Sequence, residues 1–396
     1  MAKLSIDRVD LAGKQVLVRV DFNVPLTEGG EVADDSRIRA ALPTIRYAVE
    51  RKARVLLLSH LGRPKGKPVP SMSLRPAAAR LSTLLGAPVA MAPDCIGPAV
   101  EGQAAALAPG AVLMLENCRF HPGDEANDEG FSRALARLCD LFVNDAFGAA
   151  HRAHASTVGI TRFCPVAASG FLMAREVAYL GRATGNPERP FVAILGGAKV
   201  SDKLAVVCHL LERVDALLVG GGMAFTFLKA RGIEIGESLV EADRLADASA
   251  MSARAAARGV TLRLPEDHVI AETVEASAMT RVTPDAAVPA GWRGLDIGPR
   301  TREAFAGEIG RARTVFWNGP LGVFEHASFA EGTLAVAKAI AASGATSIVG
   351  GGDSLAAVAQ AGVADRITHL STGGGASLEF LEGKALPGLT ALTEAP

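Results

Sequence analysis

Ser347-Ile-Val-Gly-Gly-Gly-Asp-Ser-Leu-Ala-Ala-Val358 is the stretch from which the fold can be read. A short buried-type run, Ser347–Val349, breaks into three glycines and restarts at Leu355 as a helix-prone segment. That strand–turn–helix junction is the building block of an open α/β sheet, where ligands gather beyond the carboxyl ends of the strands. Glycine turns expose backbone N–H groups, and the following helix adds its positive end, so the junction suits a phosphate. Asp353 reads either as a helix N-cap or, beside a nucleotide phosphate, as a ligand of Mg²⁺, which takes one or two carboxylates plus phosphate oxygens.

Similar runs recur on both sides of this stretch. In the first half the pattern predicts strands at Val16–Val20, Val55–Leu58, Val112–Leu115 and Leu141–Val143. In the second half it predicts Phe191–Leu195, Ala216–Val219, Thr261–Leu264, Thr314–Trp317, Ser347–Val349 and Thr368–Leu370. Continuous rather than alternating apolarity means burial on both faces, hence parallel sheets covered by helices. The expected fold is α/β, two doubly wound, Rossmann-like lobes. Between them Met173, Val177 and Leu180 fall on one helical face, and Thr184-Gly-Asn-Pro187 is a breaker, so a connecting helix and loop are expected.

The bulk properties narrow the function. The 396 residues are 49% hydrophobic and 21% charged, with a net charge of −1. There is no overall basic field for nucleic acid or an anionic membrane, so any anion site is local. The five cysteines are scattered without a CxxC pair, which argues against a disulfide framework or a structural zinc site and for a reducing compartment. The first ten residues carry Lys3, Asp7, Arg8 and Asp10 where a signal peptide needs an apolar core. The longest apolar run, Ala216–Leu228, falls short of the roughly 20 residues of a membrane span. A cytoplasmic protein is expected.

The two halves end their strands differently. First-half strands end in Asp21 and Asn23, His60 and Arg63, Glu116 and Arg119, and Asn144, Asp145, His151 and Arg152. Arginines and a histidine at neighbouring strand ends make a pocket for a small, multiply charged anion, because the guanidinium fork matches carboxylate and phosphate oxygens. Second-half strands end in glycine: Gly196-Gly197, Gly220–Gly222, Gly350–Gly352 and Gly373–Gly375. Lys199 and Lys203, four residues apart, are expected on one helical face near phosphates. The spacing is neither that of a P-loop nor that of a dinucleotide fingerprint. An ordinary solvated surface remains the alternative for any one arginine or lysine. A dehydrogenase and a non-catalytic metabolite-binding protein remain the alternatives for the whole chain.

Together the segments resemble the phosphoglycerate kinase family along essentially the entire chain. The stretches that carry the resemblance are Arg19–Pro25, Asp35–Ile38, Ser59–Pro64, Glu116–Phe120, Asn144–His154, Gly196–Lys203, Gly220–Phe225, Asp296–Pro299, Trp317–Glu325, Gly350–Ser354 and Ser371–Gly375. The resemblance implies reversible phosphoryl transfer between 1,3-bisphosphoglycerate/ADP and 3-phosphoglycerate/ATP, with Mg²⁺, in a monomer that needs no nucleic acid or membrane. It implies that Arg63, Arg119 and Arg152 hold the 3-phosphate, and that Asp21, Phe22, Asn23, His60, Leu61 and Gly62 surround the rest of that substrate. Arg37, Lys199 and Gly352 are implied at the group in transfer. Gly197, Lys203, Gly221, Gly294, Asn318, Glu325, Gly351, Gly352, Asp353 and Ser354 are implied at the nucleotide, with Asp353 on the metal. His151 and His154 are expected only as supporting residues. The implied domains are 1–168 for phosphoglycerate, joined by a returning tail 386–396; 169–186 as connecting helix and hinge; and 187–385 for nucleotide. In such an architecture the lobes are expected to close on their two ligands.

Overall fold

The computed structural model describes residues 3–396. The chain forms two compact units. One runs up to Ala178 and takes back Ala385–Pro396; the other is Tyr179–Lys384.

The sheet of the first unit has β1 (Gln15–Arg19), β2 (Arg54–Leu58), β3 (Val89–Met91), β4 (Val112–Met114), β5 (Leu141–Asn144) and β6 (Ala167–Ser169), in the order β3-β4-β2-β1-β5-β6. All its pairings are parallel. β1, β2, β4 and β5 were expected; β3 and β6 were not. Each of these two has only three residues, and Ala167-Ala-Ser169 lacks the branched side chains that mark strands. The sheet is buried on both faces. Val16, Val18, Val55 and Leu57 pack on one side against the helix Ser36–Glu50, through Ile38, Ala41 and Ile45. Leu17, Leu56, Leu58 and Phe142 pack on the other against Leu135, Leu138 and Ile160.

The last residues complete this unit. Thr393 N–H donates to the Ala167 carbonyl at 2.9 Å, Gly388 N–H to the Ala150 carbonyl at 2.8 Å, and the Asn144 amide to the Gly388 carbonyl at 3.0 Å. Residues 385–396 thus satisfy polar groups at the edge strand β6 and beyond the end of β5.

In the second unit, β7 (Phe191–Leu195), β8 (Ala216–Val219), β9 (Thr261–Arg263), β13 (Thr314–Asn318), β14 (Thr346–Gly350) and β15 (His369–Ser371) form a parallel sheet, β15-β14-β13-β7-β8-β9. β10 (His268–Ala271), β11 (Arg281–Val282) and β12 (Arg293–Ile297) form a separate antiparallel sheet that was not expected. Its strands are short, and two of them carry arginines where the search sought continuous apolar runs. Trp317 is fully buried at the centre of the core with Val192, Ile194, Phe305 and Val349. Burial of one such side chain contributes roughly 1.5–3 kcal/mol.

The chain passes between units inside the helix Phe171–Thr184. Its start is held by side chains of the first unit. Thr44 Oγ1 accepts from Phe171 N–H at 2.9 Å, and Asp145 Oδ1 accepts from Met173 N–H at 3.1 Å. Burial pushes the Asp145 carboxyl up to about 6, against the hydrogen bonds that favour its charge. The folded chain therefore keeps a proton that the unfolded chain has already released. Stability carried by that proton is full below the ordinary carboxylate pKa and is lost as pH rises through about 6. The loss is on the order of 3 kcal/mol at most. Asp145→Asn is expected to shrink the drop in unfolding free energy between pH 5 and pH 8, read by urea denaturation. An unchanged drop in the variant would place the titration elsewhere.

Candidate active site

In the first unit the residues just past β1, β2, β4 and β5 meet at one end of the sheet. Arg37, on the helix Ser36–Glu50, reaches Asp21 with Nη1 to Oδ2 at 2.6 Å. Asn23 Oδ1 accepts from Gly62 N–H at 2.9 Å, and Ser59 Oγ accepts from Phe22 N–H at 2.8 Å, so the turns after β1 and β2 are tied together. Arg119 Nη1 donates to the Gly62 carbonyl at 2.9 Å, which brings in the turn after β4. Asn117 braces that turn, donating to the carbonyls of Leu61 and Met72 at 2.8 and 2.9 Å.

The charges are crowded. Arg119 is buried, and burial together with Arg19 and Arg152 lowers its pKa, a mark of several guanidinium groups in one place. Burial holds His60 well below the ordinary histidine range despite Asp21 beside it, so the ring is neutral at physiological pH. For Asp21 burial opposes the charge, but His60, Arg37 and Arg19 outweigh it and hold the carboxyl below its usual range. Arg63, next to Gly62, is exposed; Arg152 is half-buried and close enough to repel Arg119.

Two further charged residues serve the frame of the site. Glu116 is no part of the anion pocket: its carboxylate accepts from Ser73 Oγ at 2.7 Å, Leu74 N–H at 2.9 Å and Asn117 N–H at 2.7 Å, and so caps local backbone. Arg19 was passed over because it lies inside β1, yet it is fully buried beneath the site. Its Nη2 meets His60 Nδ1 at 3.0 Å, Nε donates to Ser156 Oγ at 3.2 Å, and Nη1 donates to the Val20 carbonyl. The signal was there, a charged residue ending a run of Val and Leu. His154 is buried near Asp124, Nδ1 to Oδ2 at 3.9 Å, consistent with support rather than ligation. A cavity of about 1470 Å³ in this unit lies off the cluster, lined by residues such as Asp35, Arg80, Asp94 and His121.

In the second unit a cavity of about 670 Å³ opens at the carboxyl ends of β7, β8 and β13. Gly197, Gly221, Gly294, Glu325 and Asp353 line it, with Phe225, Leu239 and Val240 as apolar walls. Asn318 and Ser354 are buried beside it and brace the turns: Asn318 donates to the Gly350 carbonyl at 2.8 Å, and Ser354 Oγ accepts from Gly319 N–H at 2.7 Å. Gly351, at φ +95°, opens the helix Gly352–Gln360. Asp353 lies in the first turn of that helix and makes no capping bond, so the N-cap reading does not hold.

The two lysines do not share a helical face. Ser201–Lys203 is a 3₁₀ turn before the helix Leu204–Leu210, and Lys199 precedes it, exposed and outside any helix. Lys203 is buried, donating to the carbonyls of Gly196 and Asn318 at 2.6 and 2.8 Å. Burial lowers its pKa to about 8, against the attraction of Asp202 and Asp353.

Close packing of backbone explains why Gly221 is glycine. It has φ +65°, and a Cβ there would lie 2.8 Å from Gly197 N and from the Pro320 carbonyl oxygen. Gly259 has a similar φ, +69°, but open space around it. Gly259→Ala is expected to cost about 1 kcal/mol from the torsion alone. Gly221→Ala is expected to cost roughly 2–3 kcal/mol, because backbone on two sides must also move. Equal losses in urea denaturation would show that space is not the constraint.

With this geometry in view, the comparisons with known proteins agree with one another. The family profile described as "Phosphoglycerate kinase" matches residues 6–384. The phosphoglycerate kinase of Moorella thermoacetica is 59% identical over 394 residues, covering all of both chains, and that of Anaeromyxobacter sp. (strain K) is 57% identical over 396, again covering both in full. Among solved structures, the phosphoglycerate kinase of Coxiella burnetii superposes with a TM-score of 0.88 at 43% identity, and that of Pyrococcus horikoshii OT3 with 0.84 at 34%, each covering 98% of both chains. The chain belongs to the phosphoglycerate kinase family and is a phosphotransferase of glycolysis, exchanging a phosphoryl group between 1,3-bisphosphoglycerate/ADP and 3-phosphoglycerate/ATP.

Proposed function

We propose that the first unit holds the phosphoglycerate and the second holds the nucleotide. The observation that carries this reading is the contrast in strand ends: a cluster of guanidinium groups around a neutral histidine in one sheet, glycine turns around a partly apolar cavity in the other. A triose carrying phosphate and carboxylate is small and highly charged, and forked donors recognise it. A nucleotide needs an apolar slot for its base and backbone donors for its phosphates.

On this reading Arg63, Arg119 and Arg152 take the 3-phosphate. Asp21, Asn23 and His60 orient the hydroxyl and carboxylate end, within the frame of Phe22, Leu61 and Gly62. Arg37 leaves Asp21 to meet the transferring phosphoryl. Gly197, Gly221 and Gly294 face the base, Glu325 the ribose, and Asn318 lies along the nucleotide. Lys203, Gly351, Gly352 and Ser354 serve the phosphates, and Lys199, exposed, reaches the group in flight.

Asp353 suits a Mg²⁺ ion: its carboxylate lines the cavity and spends no bond on capping its helix. When bound, the ion supplies charge neutralisation at the nucleotide phosphates. The attacking group is the substrate's own carboxylate, so the protein needs no nucleophile. Its residues position the reactants and neutralise charge on the equatorial oxygens of a loose transition state. Transfer between ligands carried on separate units requires the two sites to meet, and 169–186 is the proposed hinge. A monomer is the state that the family resemblance implies, and the scattered cysteines favour a reducing cytoplasm; no helix among the described residues is long and apolar enough to cross a membrane.

Arg37→Ala is expected to lower kcat by about 10³-fold, with the Kd for ATP unchanged. A near-normal kcat would remove Arg37 from the transfer. Asp353→Asn is expected to weaken MgATP far more than metal-free ATP in calorimetry. Equal weakening in both titrations would mean that the carboxylate does not serve the cation.

A further inference from the structure

The five cysteines are far apart in sequence, but the fold brings two of them together. Cys139 and Cys164, separated by 25 residues, place their sulfurs 3.7 Å apart. Cys139 follows the helix Glu129–Ala136 and leads into β5; Cys164 follows the 3₁₀ turn Gly159–Arg162 and leads into β6. β5 and β6 are adjacent and parallel, with Phe142 opposite Ala167, Val143 opposite Ala168 and Asn144 opposite Ser169. The same offset carried back three residues sets Cys139 opposite Cys164. Adjacent strands run about 4.8 Å apart, and disulfides span Cα separations of about 4.4–6.8 Å.

We propose that Cys139 and Cys164 are a modification site, a dithiol that peroxide converts to a disulfide bridging the entries to β5 and β6. Cys139 is half-buried, so the pair lies near solvent, while Cys164 packs into the core beside Leu135 and Ala167. The two thiols share a hydrogen bond in which either sulfur can donate; it lowers the pKa of Cys164 and raises that of Cys139, and on the proposal Cys164 is the nucleophile and Cys139 the resolving thiol. The Cys164 thiolate attacks one peroxide oxygen, the O–O bond breaks, and a sulfenic acid and one water result. The Cys139 sulfur then attacks that sulfenic sulfur, the S–O bond breaks, and a second water leaves. In total two thiols and one hydrogen peroxide give one disulfide and two waters, with two electrons passing from sulfur to oxygen. The other buried thiols are placed differently. Burial raises the pKa of Cys95 and of Cys118, and Asp94 and Asp124 beside them add to it, so neither offers a thiolate.

The position of the pair sets the consequence. Both cysteines precede their strands, whereas the arginine cluster lies past the carboxyl ends of the same sheet. The bridge therefore restrains the unfolded chain without touching the anion site.

The test uses the full chain, reduced and then treated with stoichiometric hydrogen peroxide. The expected result is the loss of two of the five thiols, a Cys139–Cys164 bridged peptide in non-reducing mass spectrometry, and full recovery with dithiothreitol. The thermal midpoint is expected to rise by several degrees, with kcat/KM within twofold of the reduced enzyme. In Cys139→Ser the sulfenic acid on Cys164 has no partner and is expected to accumulate as a dimedone adduct; in Cys164→Ser no bridge and no rise in midpoint are expected. A bridged peptide containing other cysteines, or five intact thiols at peroxide levels that oxidise glutathione, would overturn the proposal. A large fall in kcat/KM on bridging would overturn its placement away from the site.

Discussion

Every strand of the two large sheets points the same way within its sheet, and parallel pairing leaves all carboxyl ends on one edge. At that edge the backbone turns back toward a helix within a few residues, and the freed amides and carbonyls need partners. Much of the chemistry of both units is a solution to that problem. In the second unit Asn318 is central: its side chain holds the Gly350 carbonyl, and its own carbonyl takes both the Gly196 amide and the Lys203 ammonium. Three consecutive strands of the sheet, β7, β13 and β14, are thereby locked in register at the mouth of the cavity.

The first unit answers the same need with side chains. Ser59, Asn23 and Asn117 satisfy the turns, and Arg19 lies beneath them with its charge distributed over a carbonyl, a hydroxyl and a ring nitrogen. Burying a guanidinium is costly unless its donors are filled. Here the filled donors hold His60 in place, and the positive field of Arg19, with burial, keeps that ring neutral. A neutral ring offers hydrogen bonds without adding to the repulsion among the arginines. Backbone recognition in one unit and side-chain recognition in the other follow from the proposed ligands, one large with an apolar base, the other small and densely charged.

How much of this was legible from sequence depended on how loudly each residue type speaks. Phe191–Leu195 and Ala216–Val219 are unbroken apolar runs that match their strands residue for residue. Ala167–Ser169 is silent, because its strand exists through pairing with β5 and support from Leu4, Ser5 and Thr393, all distant in sequence. The strand-end glycines and arginines announced a site, but not what each side chain does there. Glu116 and Arg119 lie three residues apart at the end of β4, yet one turns back onto backbone and the other stays with the guanidinium cluster. Lys199 and Lys203 have helical spacing, but the turn between them is 3₁₀, and their environments are opposite. Spacing predicts geometry only where the backbone repeat is uniform. Cys139 and Cys164 show the same limit from the other side: proximity came from strand register, which sequence separation conceals.

The return of residues 385–396 to the first unit has a consequence for how the protein is made. A chain emerging from the ribosome presents residues up to 178 early, and most of that sheet has its partners at once. Asn144, Ala150 and Ala167 do not, because their partners, the backbones of Gly388 and Thr393, are synthesised only after the entire second unit. The first unit to appear is thus the last to be finished, and its edge strand waits through translation of the entire second unit. Vectorial synthesis and the order of structural completion run in opposite directions, which leaves the Ala167 end of β6 open to chaperones or to a neighbouring nascent chain until residues 385–396 follow, while its Ser169 end pairs early with Leu4 and Ser5.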